Sequence, residues 1–150
     1  SAPERDWDDF KDVDLAGKVA LILVNDQDYE TGEGDFGGRA MTWYGRWTYK
    51  YEEAARRGAA GALVIHETEP ASYGWATVSN SNNDVFDVLR ADPLAVHVPL
   101  EGWIHRDATV ELLQRAGLDF ETLKAQARTR GFRPVELEGV KFSSRFTVDR

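Results

Sequence analysis

Two short apolar runs with a helical pattern between them constrain the fold of this chain more than any other feature. Residues 19–24 read Val-Ala-Leu-Ile-Leu-Val, and residues 62–66 read Ala-Leu-Val-Ile-His. Short runs that are apolar on both faces are typical of strands buried inside a parallel sheet. Parallel strands need a crossover connection, and this connection is right-handed in nearly all proteins. The sequence therefore predicts a strand, a crossover helix and a second strand.

Three amphipathic segments predict the helices that surround these strands. The predicted helices span 49–57, 108–116 and 120–129. Residues that accept hydrogen bonds from the free N–H groups of a first helical turn commonly stand just before a helix. The candidate N-caps are Thr48, Asp107 and Asp119. Together the elements predict an α/β domain with a small mixed sheet or open barrel flanked by short helices.

The remaining segments complete the predicted organisation. Residues 95–98 form a third apolar run and are predicted to be the third strand of the sheet. In the final segment, 140–150, a period of two relates Val140, Phe142, Ser144, Phe146 and Val148, which predicts a terminal strand. The acidic residues 1–14 are predicted to form a leading arm, and residues 15–139 the domain itself.

Composition excludes several classes of function. The chain has 26 acidic and 18 basic residues among 150, for a net charge of −8, whereas nucleic-acid binding requires clustered Lys and Arg. It contains no cysteine, which excludes disulfides, thiolate metal sites and a cysteine nucleophile. The longest apolar run, 19–24, is far too short to span a membrane.

Two motifs match known patterns but lack the context that gives those patterns their chemistry. Residues 32–37 fit the dinucleotide-binding pattern G-x-G-x-x-G, but seven residues separate them from Val24, and their acidic side chains would repel a phosphate. A flexible glycine loop is predicted there instead. The triplet His105-Arg106-Asp107 resembles a pair of metal ligands, but a zinc site needs three or four converging ligands. No catalytic or metal-ligating residue is therefore predicted in this chain.

Two stretches resemble a known family. Residues 38–62 and 71–75, the latter Ala-Ser-Tyr-Gly-Trp, are similar to bacterial M28-family zinc peptidases that carry an inserted protease-associated (PA) domain. The first stretch includes the pattern A-x-x-x-G-A-x-G-A, in which a helix leads into a strand. Residues 17–21 and 94–117 resemble the opening strand and the late strand and helix of PA domains. The resemblance covers roughly residues 12–134.

The resemblance implies a non-catalytic accessory domain that mediates substrate access or protein and peptide interaction. The zinc ligands of the family lie outside the inserted domain, so no cofactor is expected in this chain and zinc is expected in the peptidase domain of the same parent protein. The implied partners are that peptidase domain and its peptide substrates, and the implied location is periplasmic or secreted. An inserted domain leaves and re-enters its host, so the arm and the terminal strand are expected on the same side of the fold.

Six residues in two loops are the candidates for contact with peptides or with the peptidase domain. They are Trp43, Tyr44, Arg46, Trp47, Tyr73 and Trp75. Aromatic rings and Arg give large contact areas at small entropic cost. Both loops leave the carboxyl ends of predicted parallel strands, so the five rings are expected to form one partly exposed patch. Two alternatives remain: the rings fill the core, or the chain is an autonomous small-ligand or carbohydrate-binding module.

Overall fold

The computed structural model describes residues 1–80, 86–92, 95–145 and 147. The strands are β1 (Val19–Leu23), β2 (Gly61–His66) and β3 (Glu101–His105). The helices are α1 (Trp47–Arg56), α2 (Thr68–Ala71), α3 (Ala76–Ser79), α4 (Arg106–Arg115) and α5 (Phe120–Ala127). A 3-10 turn spans Pro3–Arg5. The predicted α/β class, with a small sheet and short helices, is confirmed.

The three strands form one open sheet in the order β1-β2-β3, and both pairings are parallel. In the centre of the sheet, Val64 lies opposite Ile22 on one side and Trp103 on the other. The predicted strand–helix–strand unit is therefore present as β1, α1 and β2. The described sheet is wholly parallel rather than mixed, because each strand is reached by a connection that carries helices.

Helices cover the sheet on both faces. On one face, Ala54 of α1 packs with Ala62 and Val64 of β2, and all three are fully buried. On the other face, Ile65 packs with Leu113 of α4 and Phe120 of α5. Burial of alternate strand residues on opposite faces is what the period of two in a strand dictates. The result is a three-layer arrangement with the central strand, β2, between two apolar cores.

Of the three predicted N-caps, only Asp119 is confirmed. Its Oδ1 accepts a hydrogen bond from the backbone N–H of Thr122 at 2.8 Å. The prediction for Asp107 is wrong, because α4 starts two residues earlier than predicted and His105 is its N-cap, with Nδ1 accepting from the Asp107 N–H at 3.2 Å. The prediction for Thr48 is also wrong, since α1 begins at Trp47.

The predicted third strand at 95–98 is wrong. The described part of this segment has no strand, and β3 begins at Glu101 instead. Val98 is buried, but it fills the core on the α1 side of the sheet rather than pairing with β2. The less apolar sequence Glu-Gly-Trp-Ile-His pairs with β2 instead. An edge strand tolerates polar residues and glycine because one side of it faces solvent.

The chain ends differ from the predicted arm and terminal strand. The structure has no strand in residues 140–145, while residues 146 and 148–150 of the predicted strand lie outside the described part. The arm contacts the segment before residue 140: Arg130 Nη1 donates to the Arg5 carbonyl at 2.9 Å, and Arg133 Nη2 lies 3.3 Å from Asp12 Oδ2. These contacts hold the leading arm beside the last helix, and insertion into a host protein stays a prediction.

Across the described ranges, the structure contains no helix that is both long enough and apolar enough to cross a membrane.

Candidate functional site

Aromatic side chains gather where β2 and β3 end. We call this group the carboxyl-edge cluster, and it consists of Trp47, Tyr51, His66, Tyr73, Trp75, Trp103 and His105. His66 and His105 are the last residues of β2 and β3 and are paired in register. Ligands of open α/β sheets bind beyond the carboxyl ends of the strands, so this edge is the candidate functional site.

His66 is the centre of the carboxyl-edge cluster. Its ring centroid lies 5.7 Å from Tyr73, 5.5 Å from Trp75 and 5.8 Å from Trp103. Only 1% of the residue is exposed. The Nε2 atom lies 3.1 Å from the Tyr73 carbonyl oxygen, and because a carbonyl can only accept, Nε2 donates this bond. His66 thus fixes the loop that presents Tyr73 and Trp75.

Trp47 forms the exposed rim of the carboxyl-edge cluster. Its ring is 6.3 Å from Trp103 and 5.7 Å from Tyr51, and 43% of the residue is exposed. Tyr51 is buried behind it and donates its hydroxyl hydrogen to the Gly102 carbonyl at 2.7 Å. Burial raises the pKa of the Tyr51 hydroxyl well above its usual range, so it remains a donor. The rim therefore rests on a rigid base that joins α1 to β3.

A second group of rings lies around the loop between β1 and α1. We call it the loop cluster, and it consists of Trp7, Phe36, Trp43, Tyr44 and Tyr49. Tyr49 is the link, at 5.0 Å from Tyr44 and 6.4 Å from Trp43. The guanidinium of Arg46 lies over the Trp43 ring at 5.8 Å.

The six sequence candidates are divided between the two clusters. Trp47, Tyr73 and Trp75 belong to the carboxyl-edge cluster, whereas Trp43, Tyr44 and Arg46 belong to the loop cluster. No ring contact among the described residues joins the two groups, so the expected single patch is not formed. The geometry of α1 separates the two groups. Trp47 and Tyr51, four residues apart, share one face of the helix, whereas Tyr49 lies on another face. Tyr49 is the residue that contacts Trp43 and Tyr44.

Hydrogen bonds from buried polar groups support the loops at this edge. Asn25 Nδ2 donates to the Pro70 carbonyl at 2.7 Å and joins the loop after β1 to the helix α2 that follows β2. Lys50 Nζ in turn donates to the Asn25 carbonyl at 3.0 Å. Burial lowers the pKa of Lys50 to about 8, although the charges of Asp26 and Asp9 act in the opposite direction.

The glycine motif at 32–37 encloses a carboxylate of the chain itself. Asp28 is buried, and its Oδ2 accepts hydrogen bonds from the N–H groups of Phe36 at 2.8 Å and Gly38 at 3.0 Å. Backbone N–H groups of a glycine-rich loop bind anions, and here the anion is a side chain. The motif is therefore an ordered loop built around Asp28 rather than a flexible loop or a phosphate site.

A polar pocket of about 360 Å³ opens beside the carboxyl-edge cluster. It lies between the ends of β2 and β3 and includes His66, Glu67, His105 and Asp107. The Glu67 carboxylate is already neutralised, since Lys124 Nζ lies 2.8 Å and Arg106 Nε 3.7 Å from its Oε2. Within the described residues there is no group of three or more metal-binding side chains.

Sequence reasoning missed four members of the carboxyl-edge cluster: Tyr51, His66, Trp103 and His105. The signal that could have found them is the strand ends, because side chains that end adjacent parallel strands are neighbours. His66 was placed correctly at the end of β2. His105 and Trp103 were missed because the third strand was expected at 95–98.

The fold and site define a class of domain: an open parallel α/β sheet with an aromatic, partly exposed site at its carboxyl edge. No protein-family model, no curated protein and no solved structure matches this chain.

Proposed function

We propose that the chain is a non-catalytic accessory domain of the PA type in a bacterial M28-like zinc aminopeptidase, periplasmic or secreted, and that it contacts peptide substrates at the carboxyl-edge cluster. One observation carries the proposal: Trp47 is 43% exposed while the rings beneath it are fixed by hydrogen bonds and ring contacts. The stretches that carry the family resemblance, 38–62 and 71–75, also supply Trp47, Tyr73 and Trp75.

The rings of the carboxyl-edge cluster are held in place before any peptide binds. An exposed indole on a rigid base offers a large apolar area with few rotatable bonds, so a peptide side chain that packs on it loses little conformational entropy of the protein. Half-buried Trp75 lies next to His105 at 5.1 Å and extends the aromatic surface away from Trp47. A surface of this kind suits apolar peptide side chains better than charged groups.

Each described histidine makes contacts that stabilise the fold, and this favours a binding role of the chain over a catalytic one. His66 donates to a carbonyl, His105 caps α4, and His97 lies 2.8 Å from the carboxylates of both Asp87 and Glu101. A general base needs a ring nitrogen directed at substrate, with a nucleophile or a metal nearby. We therefore assign catalysis to the proposed peptidase domain, together with its zinc.

The binding experiment uses a matched pair of tryptophans. Short apolar peptides are titrated into the purified chain, and binding is followed by NMR chemical shifts of the indole N–H groups. We expect Trp47→Ala to weaken binding at least tenfold, and Trp43→Ala, which removes the exposed indole of the loop cluster, to leave it unchanged. Equal effects of the two variants, or no binding by the unaltered chain, would contradict the proposal.

A second experiment tests gating, meaning that the domain restricts or orients the access of peptide substrates to the peptidase domain. It uses a longer protein in which this domain is joined to its peptidase domain. Trp47→Ala or Trp75→Ala should lower turnover of long peptides while zinc content stays the same. The isolated chain, assayed with aminopeptide substrates and added zinc, should be inactive. Unchanged kinetics on both long and short peptides would exclude gating, and activity of the isolated chain would exclude an accessory role.

The polar pocket favours a second candidate function, an autonomous small-ligand or carbohydrate-binding module. Its 360 Å³ volume suits a small polar molecule, and His105 and Asp107 are among the residues that line it. A panel of monosaccharides and small polar metabolites, tested by an NMR titration that follows the backbone amides as well as the indole N–H groups, separates the two functions. Shifts confined to His105 and the first turn of α4, unaffected by Trp47→Ala, would support this module instead.

A further inference from the structure

The strand β1 has the sequence of an interior strand but lies at an edge of the described sheet. Its residues, Val-Ala-Leu-Ile-Leu, are apolar on both faces and include no charge, glycine or proline. Natural edge strands are commonly protected by charged side chains, proline or bulges, because unpaired backbone groups otherwise attract other strands. The opposite edge strand, β3, fits this rule, since it starts with the exposed Glu101 and contains Gly102.

A large cavity lies along β1. It has a volume of about 920 Å³ and is lined by residues from both faces of β1, so it includes the edge of the strand. It also extends over the face that α4 and α5 cover, where Ile65 and Leu113 line it. Its walls include Phe10 of the leading arm and Leu137, Val140 and Phe142 of the terminal segment. All five residues of β1 are only half-buried. A strand with the sequence of an interior strand therefore lies beside an open cavity.

The terminal segment has the pattern of the strand that is missing from this place. Apolar Val140 and Phe142 stand at alternate positions, so both would lie on one face of a strand, and residues 143–145 are polar. In the structure Val140 and Phe142 are 42% and 50% exposed. Six residues at about 3.3 Å each are long enough to cover the five residues of β1.

An ion pair and a turn place the start of the terminal segment near the amino end of β1. Lys18, immediately before β1, forms an ion pair with Glu136. A turn follows, in which the Val140 N–H donates to the Leu137 carbonyl at 3.2 Å and Gly139 has a φ of +74°. A strand that starts there and follows the edge runs parallel to β1.

The positions of the helices are compatible with a right-handed connection from β3 to the outer edge of β1. The crossover from β1 to β2 uses α1 on one face, and the chain moves across the sheet in one direction. The return from β3 to the outer edge of β1 would run in the opposite direction and use α4 and α5, which lie on the opposite face. Reversing both direction and face keeps the hand of the connection, so both crossovers obey the right-handed rule.

In the described structure residues 140–145 lie beside the cavity without strand pairing. We propose that this segment also adopts a second conformation, in which it adds to the free edge of β1 as a fourth parallel strand, closes the cavity and makes β1 an interior strand. This proposal is independent of the peptide-binding function, because the carboxyl-edge cluster does not include these residues. Its physical basis is burial of the apolar side chains of β1 and of the terminal segment, together with pairing of backbone groups along the edge.

The test is amide hydrogen exchange of the full chain, with two variants at one position. In the unaltered protein we expect the amides of 140–145 to exchange at least tenfold more slowly than in an unstructured peptide. Ser143→Pro removes a donor and fixes φ, so it should remove this protection and speed exchange in β1. Ser143→Thr, which keeps the N–H and suits a strand, should do neither.

Three outcomes would overturn the proposal. The first is exchange of 140–145 at the unstructured rate in the unaltered chain. The second is protection of 140–145 that Ser143→Pro removes without any effect on β1, since the segment would then pack elsewhere. The third is protection that disappears on tenfold dilution, which would assign the edge to a second copy of the chain. If the proline variant does not fold, the double variant Val140→Ser, Phe142→Ser should weaken protection in both segments.

Discussion

The imidazole rings of His66 and His105 stack with 6.5 Å between their centroids and an angle of 17° between their planes. The two residues are paired in register at the ends of β2 and β3, so parallel alignment of the strands places the rings together. Each ring also makes one backbone hydrogen bond, His66 to the loop that follows β2 and His105 to the first turn of α4. The stack therefore joins three segments at the edge where the candidate site lies.

Removing the hydroxyl of Tyr51 should destabilise the base of the site. Tyr51→Phe deletes the hydrogen bond from the buried Tyr51 hydroxyl to the Gly102 carbonyl, and the loss of such a bond costs about 1 kcal/mol in the free energy of unfolding. The matched control is Tyr73→Phe, since the Tyr73 hydroxyl makes no hydrogen bond to any described residue. Urea unfolding measures both variants. Equal stability of the two would mean that the Tyr51 bond contributes nothing.

The glycine loop around Asp28 should not tolerate a side chain at Gly38. Gly38 has a φ of +64°, and a Cβ there would lie 2.0 Å from the Gly32 carbonyl oxygen. Gly38→Ala should lower the free energy of unfolding by about 2 kcal/mol or more, because backbone strain and a steric clash act together. Gly74→Ala is the control, since a Cβ at Gly74 meets nothing within 4 Å. A thermal scan in which both variants melt alike would refute the described loop geometry.

Glu53 should stabilise the chain at neutral pH and lose this effect in acid. Burial alone would raise its pKa, but hydrogen bonds from Ser1, Arg56 and Arg57 lower the pKa to about 2 from 4.5. A carboxyl with a depressed pKa in the folded state contributes stability that is present above about 4.5 and is lost as the pH falls toward 2. Glu53→Gln should therefore be less stable than the unaltered chain at pH 6, by about 2 kcal/mol.

The Glu53 difference should shrink as the pH falls from 5 to 2, and urea unfolding at several pH values measures it. Glu52→Gln is the control, because Glu52 is more exposed and lies 3.7 Å from Arg56. A Glu53→Gln difference that stays constant across this range would show that the charge of Glu53 has no role.

His97 should remain protonated at a higher pH than an ordinary histidine. Hydrogen bonds to Asp87 and then Glu101 raise its pKa above 6.5. A base with a raised pKa contributes stability that is fully present below 6.5 and is lost as the pH rises through its folded pKa. NMR titration of the His97 ring should show a midpoint that falls when Asp87→Asn is introduced and does not move with Glu121→Gln. A midpoint insensitive to Asp87 would contradict the described contact.

The sequence by itself determined the central strand–helix–strand unit and the last two helices. The buried runs and amphipathic periods lie within windows of about ten residues, so local pattern is sufficient to place β1, α1 and β2, with boundaries shifted by one or two residues. Asp119 was found as an N-cap for the same reason, since its bond to Thr122 spans only three residues.

Only the tertiary structure decided which segment lies beside β2 and which rings meet. Residues 95–98 are more apolar than 101–105, yet the latter form β3, because the choice depends on pairing with a strand some 40 residues earlier in the chain rather than on local pattern. The same long-range register brings His66 to His105 and Trp47 to Trp103. The division of the six candidate residues follows from the faces of α1 that pack against the sheet. Contacts between distant segments decide these features, and no local window of sequence contains them.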